Sequence, residues 1–273
     1  MRTHIRICIA LLATLAATAN AAAPTAPGVN LRWDQCYADG GAQYKNFACD
    51  VNTGTDRMVG SFELASPIPG VTGMEIYLHL GAASATLPAW WSVSSSGVVG
   101  CRGTAVTVSL APPVGAALCP DWGGGQAAGG LARINLNSQG PNHERFVAGT
   151  AVPFPVDLDA GLEYFAFTMN VTHTKTTGTG SCAGCLEPVV VFLSALRIVP
   201  GTNPSIDLNQ GANFSGSRWV SWQNGYPMNI GQGCSATGGG LFCFNPTAFF
   251  DVVPYSVTPT RNSTWGQVKS LYR

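Results

Sequence analysis

Beyond an apolar N-terminal segment, eight cysteines fall in four sequence-local pairs: Cys36 and Cys49, Cys101 and Cys119, Cys182 and Cys185, Cys234 and Cys243. An even set of cysteines in an exported chain implies disulfides, and each disulfide removes a large class of topologies. The members of each pair lie far closer to one another than to other cysteines. The spacing therefore predicts sequential bonding, 36–49, 101–119, 182–185 and 234–243, giving a fold with disulfide-clipped turns. Short closed loops stabilise modestly, at about 2–3 kcal/mol each. The motif Cys182-Ala-Gly-Cys185 then reads as a tight disulfide turn. Zinc would need a second ligand pair at the right spacing, which the other cysteines and the histidines do not offer. A redox dithiol would open a helix. Here TGTGS precedes the motif and an apolar β-type run, 189–193, follows it.

Export is read from the N-terminus, MRTHIRICIALLATLAATANAAAP. Arg2 and Arg6 precede an apolar run over 7–19, and Ala19-Asn20-Ala21 is a small-residue cleavage site. Residues 1–21 are expected to be a signal peptide, too short to span a bilayer. Residues 22–253 are expected to form one domain and 254–273 a linker and tail. Within that tail, TWGQVKSLY carries a capping box and an apolar stripe, Trp265, Val268, Leu271 and Tyr272, that suits a short helix. Without Arg2 and Arg6, 12 Lys and Arg face 14 acids, a net charge near −2. No basic cluster occurs, so nucleic acid and anionic membrane are poor partners. Localisation is expected to be extracellular, periplasmic or at the cell surface, not membrane-spanning. Asn170, Asn213 and Asn262 lie in Asn-x-Ser/Thr sites, which matter only in a glycosylating host.

The mature pattern is all-β. In residues 74–80, MEIYLHL, Met74, Ile76, Leu78 and Leu80 share one face, and Glu75, Tyr77 and His79 share the other. Over 163–173, Phe165, Phe167, Met169 and Val171 are expected on one face and Thr168, Asn170 and Thr172 on the other. Residues 188–199, PVVVFLSALRIV, read as a central strand covered on both sides. Further strands are expected over 58–64, 90–99, 104–110, 131–137, 145–149, 218–223 and 248–253. Many strands with frequent turn signals and no long helical period predict an antiparallel two-sheet sandwich, jelly-roll-like in type.

Two resemblances add to this. LDAGLEY, residues 158–164, resembles the tyrosine corner of fibronectin type III and related sandwiches, which implies a Tyr164 hydroxyl bonded back to the backbone. The bulky residues after Tyr164 depart from that pattern, standing on the opposite parity. More broadly, LRWDQC…NFACDVNTG, TGTGSCAGC and TWGQVKSLYR resemble a group of exported bacterial proteins. That likeness implies an extracellular sandwich and no particular activity.

Catalytic signatures do not emerge: HExxH, GxSxG and a P-loop lysine are missing. GGGQAAGG, residues 123–130, reads as a loop. His79 and His143 read as solvated surface groups. Residues 50–56, DVNTGTD, echo a calcium loop but lack its terminal bidentate Glu, and Asp157 and Asp159 offer only alternate oxygens. No cofactor or metal is called for, and an enzyme is disfavoured. The aromatics are the functional lead. If 89–93 is extended, Trp90 and Trp91 point to opposite faces, as Trp219 and Trp222 do by parity. Trp91 and Trp222, with Tyr77, are therefore the candidate binding residues, for a glycan or a surface protein. The expected function is a non-catalytic structural or adhesive surface component. The alternatives are a carbohydrate-binding module with an exposed Trp platform and a glycan-acting hydrolase with a spatially assembled acid pair.

Overall fold

The computed structural model describes residues 27–93, 100–136, 140–202, 204–208, 218–228 and 251–254. The expected signal peptide 1–21, Cys234, Cys243, Asn213, Asn262 and the expected tail beyond residue 254 lie outside the described residues. Among the described residues thirteen strands run in chain order: β1 Gly28–Trp33, β2 Tyr44–Lys45, β3 Thr55–Glu63, β4 Ile68–Ala82, β5 Val106–Ser109, β6 Ala128–Leu136, β7 His143–Leu158, β8 Glu163–Thr172, β9 Val189–Pro200, β10 Ile206–Asp207, β11 Trp219–Trp222, β12 Gly225–Met228 and β13 Asp251–Pro254. One sheet has the order β1-β3-β8-β5. The larger has the order β2-β11-β9-β4-β7-β6, with β10 also on β9. Strands β12 and β13 form a separate two-stranded ribbon. Pairing is antiparallel except between β2 and β11. The fold is an all-β sandwich, and one core, built from both sheets, lies between them.

The alternation in β4 positions the larger sheet. Met74, Ile76, Leu78 and Leu80 are buried in the core, while Glu75 and Tyr77 sit half-buried on the other face. His79 departs from the expectation: it is buried on that outer face, not solvated.

Two bulges decide what strict alternation could not. On β8, Gly60 of β3 pairs with Phe167 while the adjacent Ser61 pairs with Phe165, so Ala166 is the extra residue. A bulge shifts parity by one. Tyr164 and Ala166 therefore share the core with Phe167, Met169 and Val171, whereas Phe165 joins an outer cluster with Cys36, Val59 and Cys119. The expectation that Phe165 shares a face with Phe167 is corrected, and the parity mismatch after Tyr164 is explained. The Tyr164 hydroxyl accepts a hydrogen bond from the Asp159 amide at 2.9 Å. On β9, Tyr77 pairs with Ala195 and Leu78 with Leu193, leaving Ser194 as the extra residue. Val189, Val191 and Leu193 face the core before the bulge, and Leu196 and Ile198 after it.

Residues 90–91 are not in a strand. The amides of Trp91 and Ser92 bond to the Pro88 carbonyl in a turn, and 94–99 lie outside the described residues.

Glu144 is the anomaly of the core. It sits on β7 directly opposite Leu80, a core residue, and is fully buried. Neither carboxylate oxygen has a hydrogen-bond partner among the described residues. Burial pushes its pKa up from 4.5 to about 9. The folded chain therefore keeps a proton that the unfolded chain releases, so stability falls as pH rises from about 4.5 towards 9 and levels off above. Glu144→Gln is expected to match the parent near pH 4 and to exceed it by at least ~2 kcal/mol at pH 8. Urea unfolding of both proteins across that range measures the difference.

Gly60 is fixed by packing. A methyl group there would overlap the Phe167 ring lying across it. Gly60→Ala is expected to cost roughly 1–3 kcal/mol in the same assay, as overpacking does.

Candidate functional site

Four tryptophans, Trp33, Trp90, Trp91 and Trp222, come together in the interior, whereas Trp219 packs in a separate cluster with Val190. Trp91 and Trp222 are 1% and 0% exposed, and Trp33 and Trp90 are fully buried. Trp90 stacks on Trp222 at 5.1 Å between centroids. Trp91 meets the edge of Trp222 at 5.5 Å, and Trp33 and Phe47 close the cluster at 6.0 and 5.8 Å from Trp222. Three indole nitrogens are spent locally: Trp222 donates to the Cys185 carbonyl, Trp90 to the Thr176 hydroxyl and Trp33 to the Ser221 carbonyl, whereas Trp91 Nε1 is buried with no hydrogen-bond partner among the described residues. Arg102 is buried too, its guanidinium 3.4 Å from the Trp90 ring centre and bonded to the Trp90 and Thr172 carbonyls. The exposed-platform expectation for Trp91 and Trp222 is therefore corrected. The turn at Pro88 and the covering loops turn these rings inward, and rings buried in this way cannot stack on a sugar.

Two disulfides, Cys49–Cys185 and Cys101–Cys182, fence the cluster, and a third among the described residues, Cys36–Cys119, lies in the outer cluster with Phe165. None of the sequential pairs 36–49, 101–119 or 182–185 forms. Cys182 and Cys185 take different partners, so the CAGC turn is pinned twice, to two separate loops. The closed loops are long, with sequence separations of 83, 136 and 81 residues. In the chain-entropy account each is worth about 4–5 kcal/mol taken singly, more than the short loops would give.

A loop over 46–54 covers one side of the cluster. Asn52 accepts from the amides of Thr176 and Thr177 and donates to the Thr177 carbonyl. Gln223 donates to the Phe47 carbonyl. Beneath the loop runs a chain of paired polar side chains. Lys45 Nζ lies 2.7 Å from Asp34 and 2.8 Å from Asp56, and His173 Nε2 lies 2.8 Å from the other Asp56 oxygen. Burial alone would lower the Lys45 pKa, but its bonds to Asp34 and Asp56 outweigh that and raise it. Both ring nitrogens of His173 are engaged, the second by the Thr53 carbonyl at 2.9 Å. Neither nitrogen is left to take a proton from a nucleophile, so the arrangement is a clamp rather than a general base. In the calcium-like stretch the side-chain oxygens of Asn52 and Asp56 are thus already engaged, while Asp50 is exposed. Asp157 accepts from the Gly70 amide.

Cys36, Cys119 and Glu163 also converge, but the two sulfurs share a bond. Glu163 accepts from the Tyr37 and Ala38 amides and the Ser61 hydroxyl. That group is a closed structural knot rather than a metal site.

Tyr77 sits differently. It lies on the outer face of the larger sheet and donates its hydroxyl to Glu75 Oε2 at 2.7 Å. Burial and that hydrogen bond push its pKa to about 12, so the phenol remains a donor. Arg197 reaches the same Glu75 oxygen at 3.3 Å and Asp207 at 2.8 Å. Strand register places Gly130, Gly149, Glu75, Arg197 and Asp207 in one lateral row over β6, β7, β4, β9 and β10. A Cβ at Gly130 or Gly149 would meet nothing within 4 Å. The result is a bare backbone floor beside an aromatic ring and a polar triad. Of the three sequence-predicted binding residues, only Tyr77 is on an outer surface. Arg197 and Asp207 carried no sequence signal, because the pairing of β9 with β4 and β10 brings them together.

Trp222→Ala is expected to cost about 3–5 kcal/mol, as deletions of large buried aromatics do, with the disulfides intact. Denaturant midpoints of the oxidised proteins measure it.

No family model matches the chain, and no curated protein matches it. Among solved structures, it shows a likeness to a cohesin module from a Clostridium perfringens family 33 glycoside hydrolase. The identity is 11%, the match covers 72% of this chain and 98% of that one, and the TM-score is 0.36.

Proposed function

We propose that the protein is an exported, non-catalytic β-sandwich serving as a structural or adhesive component of an extracellular or cell surface. It meets its partner through the outer face around Tyr77. The row Gly130–Gly149–Glu75–Arg197–Asp207 beside Tyr77 carries this reading. A flat glycine floor lets a ligand approach the backbone closely, and Tyr77, Glu75 and Asp207 offer a ring face and hydrogen-bonding oxygens to a hydroxyl-rich ligand such as a glycan. The three long-range disulfides support an oxidising compartment and supply rigidity. No helix among the described residues is long and apolar enough to cross a membrane.

The hydrolase reading is less well supported by the geometry. Arg197 engages both Glu75 and Asp207, so neither stands as a free proton donor over an open slot. Glu144, the acid raised to about 9, is fully buried on the core side.

The test is binding of the oxidised protein to a glycan array and to whole bacterial cells, with Tyr77→Ala and Gly149→Leu compared. Both variants change the outer face and leave the core untouched. Loss of binding of about tenfold or more in both is the expected result. Turnover of a glycan or peptide by the parent, or binding indifferent to both changes, would contradict the proposal.

A further inference from the structure

The clamp at His173 has a property that its structural role does not require. Its two ring nitrogens face two acceptors, the Thr53 carbonyl and the Asp56 carboxylate. A neutral imidazole carries one N–H and can satisfy only one of them. The imidazolium carries two and satisfies both. The charges agree: with His173 protonated, the chain Asp34, Lys45, Asp56, His173 alternates in sign and sums to zero.

The two acceptors belong to different parts of the fold. Asp56 is on β3, whereas Thr53 is on the loop 46–54 that covers the tryptophans. Phe47 of the same loop stacks on the His173 ring at 3.8 Å, and its ring centre lies 5.8 Å from that of Trp222, tilted to it. Gly54 has φ +105°, and a Cβ there would lie 2.9 Å from His173 Nδ1. The loop is thus shaped around this ring, while Cys49–Cys185 tethers it at one point. The charged groups around the ring are Asp56 from β3, Lys45 from β2 through Asp56, and Asp34 behind Lys45. On the adjoining turn, the Lys175 ammonium is drawn to the Cys101 carbonyl, and Asp50 on the loop is exposed.

We propose that His173 is a proton-controlled latch: the doubly protonated ring holds the strap 46–54 closed over the tryptophan cluster, and loss of one proton frees the strap from one anchor. The tether keeps the opening local. The surface uncovered first is Phe47 and the Trp222 edge beneath it, a flat aromatic patch the closed strap conceals.

Two measurements on the intact, oxidised protein test this between pH 4 and 10. Nitrogen-15 NMR of the histidine ring reports how many of its nitrogens carry protons. Hydrogen-exchange protection factors of the Thr176, Thr177 and His173 amides, which donate to Asn52 and to the Gly54 carbonyl of the strap, divide out the pH dependence of intrinsic exchange and report closure as strap protection. Both nitrogens are expected to be protonated while the strap is protected. Strap protection is expected to fall about tenfold or more as the ring loses a proton, the effect of one lost charge-assisted bond, in Glu144→Gln as in the parent; β4 amides, which follow the Glu144 ionisation in the parent, hold in Glu144→Gln. His173→Phe, which keeps the stack on Phe47 but has no N–H, is expected to show low strap protection independent of pH. A ring with one protonated nitrogen throughout, or strap protection unchanged across the ring titration, would overturn the latch. If His173→Phe does not fold, the ring titration and strap protection of the parent decide the matter.

Discussion

Stacking of Trp90 on Trp222 inside a fence of disulfides is the contact on which the loop structure of this sandwich depends. The two rings come from distant parts of the chain, one from the turn after Pro88 and one from β11. Each buried tryptophan removes roughly 150–250 Å² from water, a gross gain of about 4–6 kcal/mol before ordering costs. That gain is available only if loops close over the rings. Cys49–Cys185 and Cys101–Cys182 bring those loops together, and Asn52, Arg102 and Thr176 fill the remaining bonds. The cluster and the cross-links stabilise each other: the bonds limit the unfolded ensemble, and the rings give the loops a surface to pack on.

The molecule divides its polar groups between two tasks. Those near the tryptophans, Asp34, Lys45, Asp56, His173 and Arg102, satisfy one another or the backbone and hold loops in place. Those on the outer face of the larger sheet, Glu75, Tyr77, Arg197 and Asp207, form a row open on one side to glycine backbone. The first set makes the loops rigid, and the second is the face proposed above to meet a partner.

Much of the sandwich was legible in the chain. The uninterrupted alternation of residues 74–80 fixed both faces of β4, because a period of two leaves no other way to bury four large apolar side chains together. The apolar run of β9 was legible as a central strand. What escaped were non-local events. The bulges at Ala166 and Ser194 depend on register with β3 and β4, so their parity shifts are invisible within their own strands. Trp90 and Trp91 were read as extended because the turn that redirects them is set by contacts with Pro88 and the covering loops. The disulfides misled for the same reason: proximity in sequence favours short loops entropically, but the fold brings distant cysteines closer than near ones. Of the candidate site, Tyr77 was legible from strand parity, while Arg197 and Asp207 became visible only through cross-strand pairing.

The central claim is that long-range cross-links, rather than local clips, cinch loops over a tryptophan cluster. Disulfide mapping of the native protein by peptide mass tests it most directly, using a protease that cuts between Cys182 and Cys185. The account predicts Cys182 linked to Cys101, Cys185 linked to Cys49, and Cys36 linked to Cys119. A peptide in which Cys182 is bonded to Cys185 would contradict it.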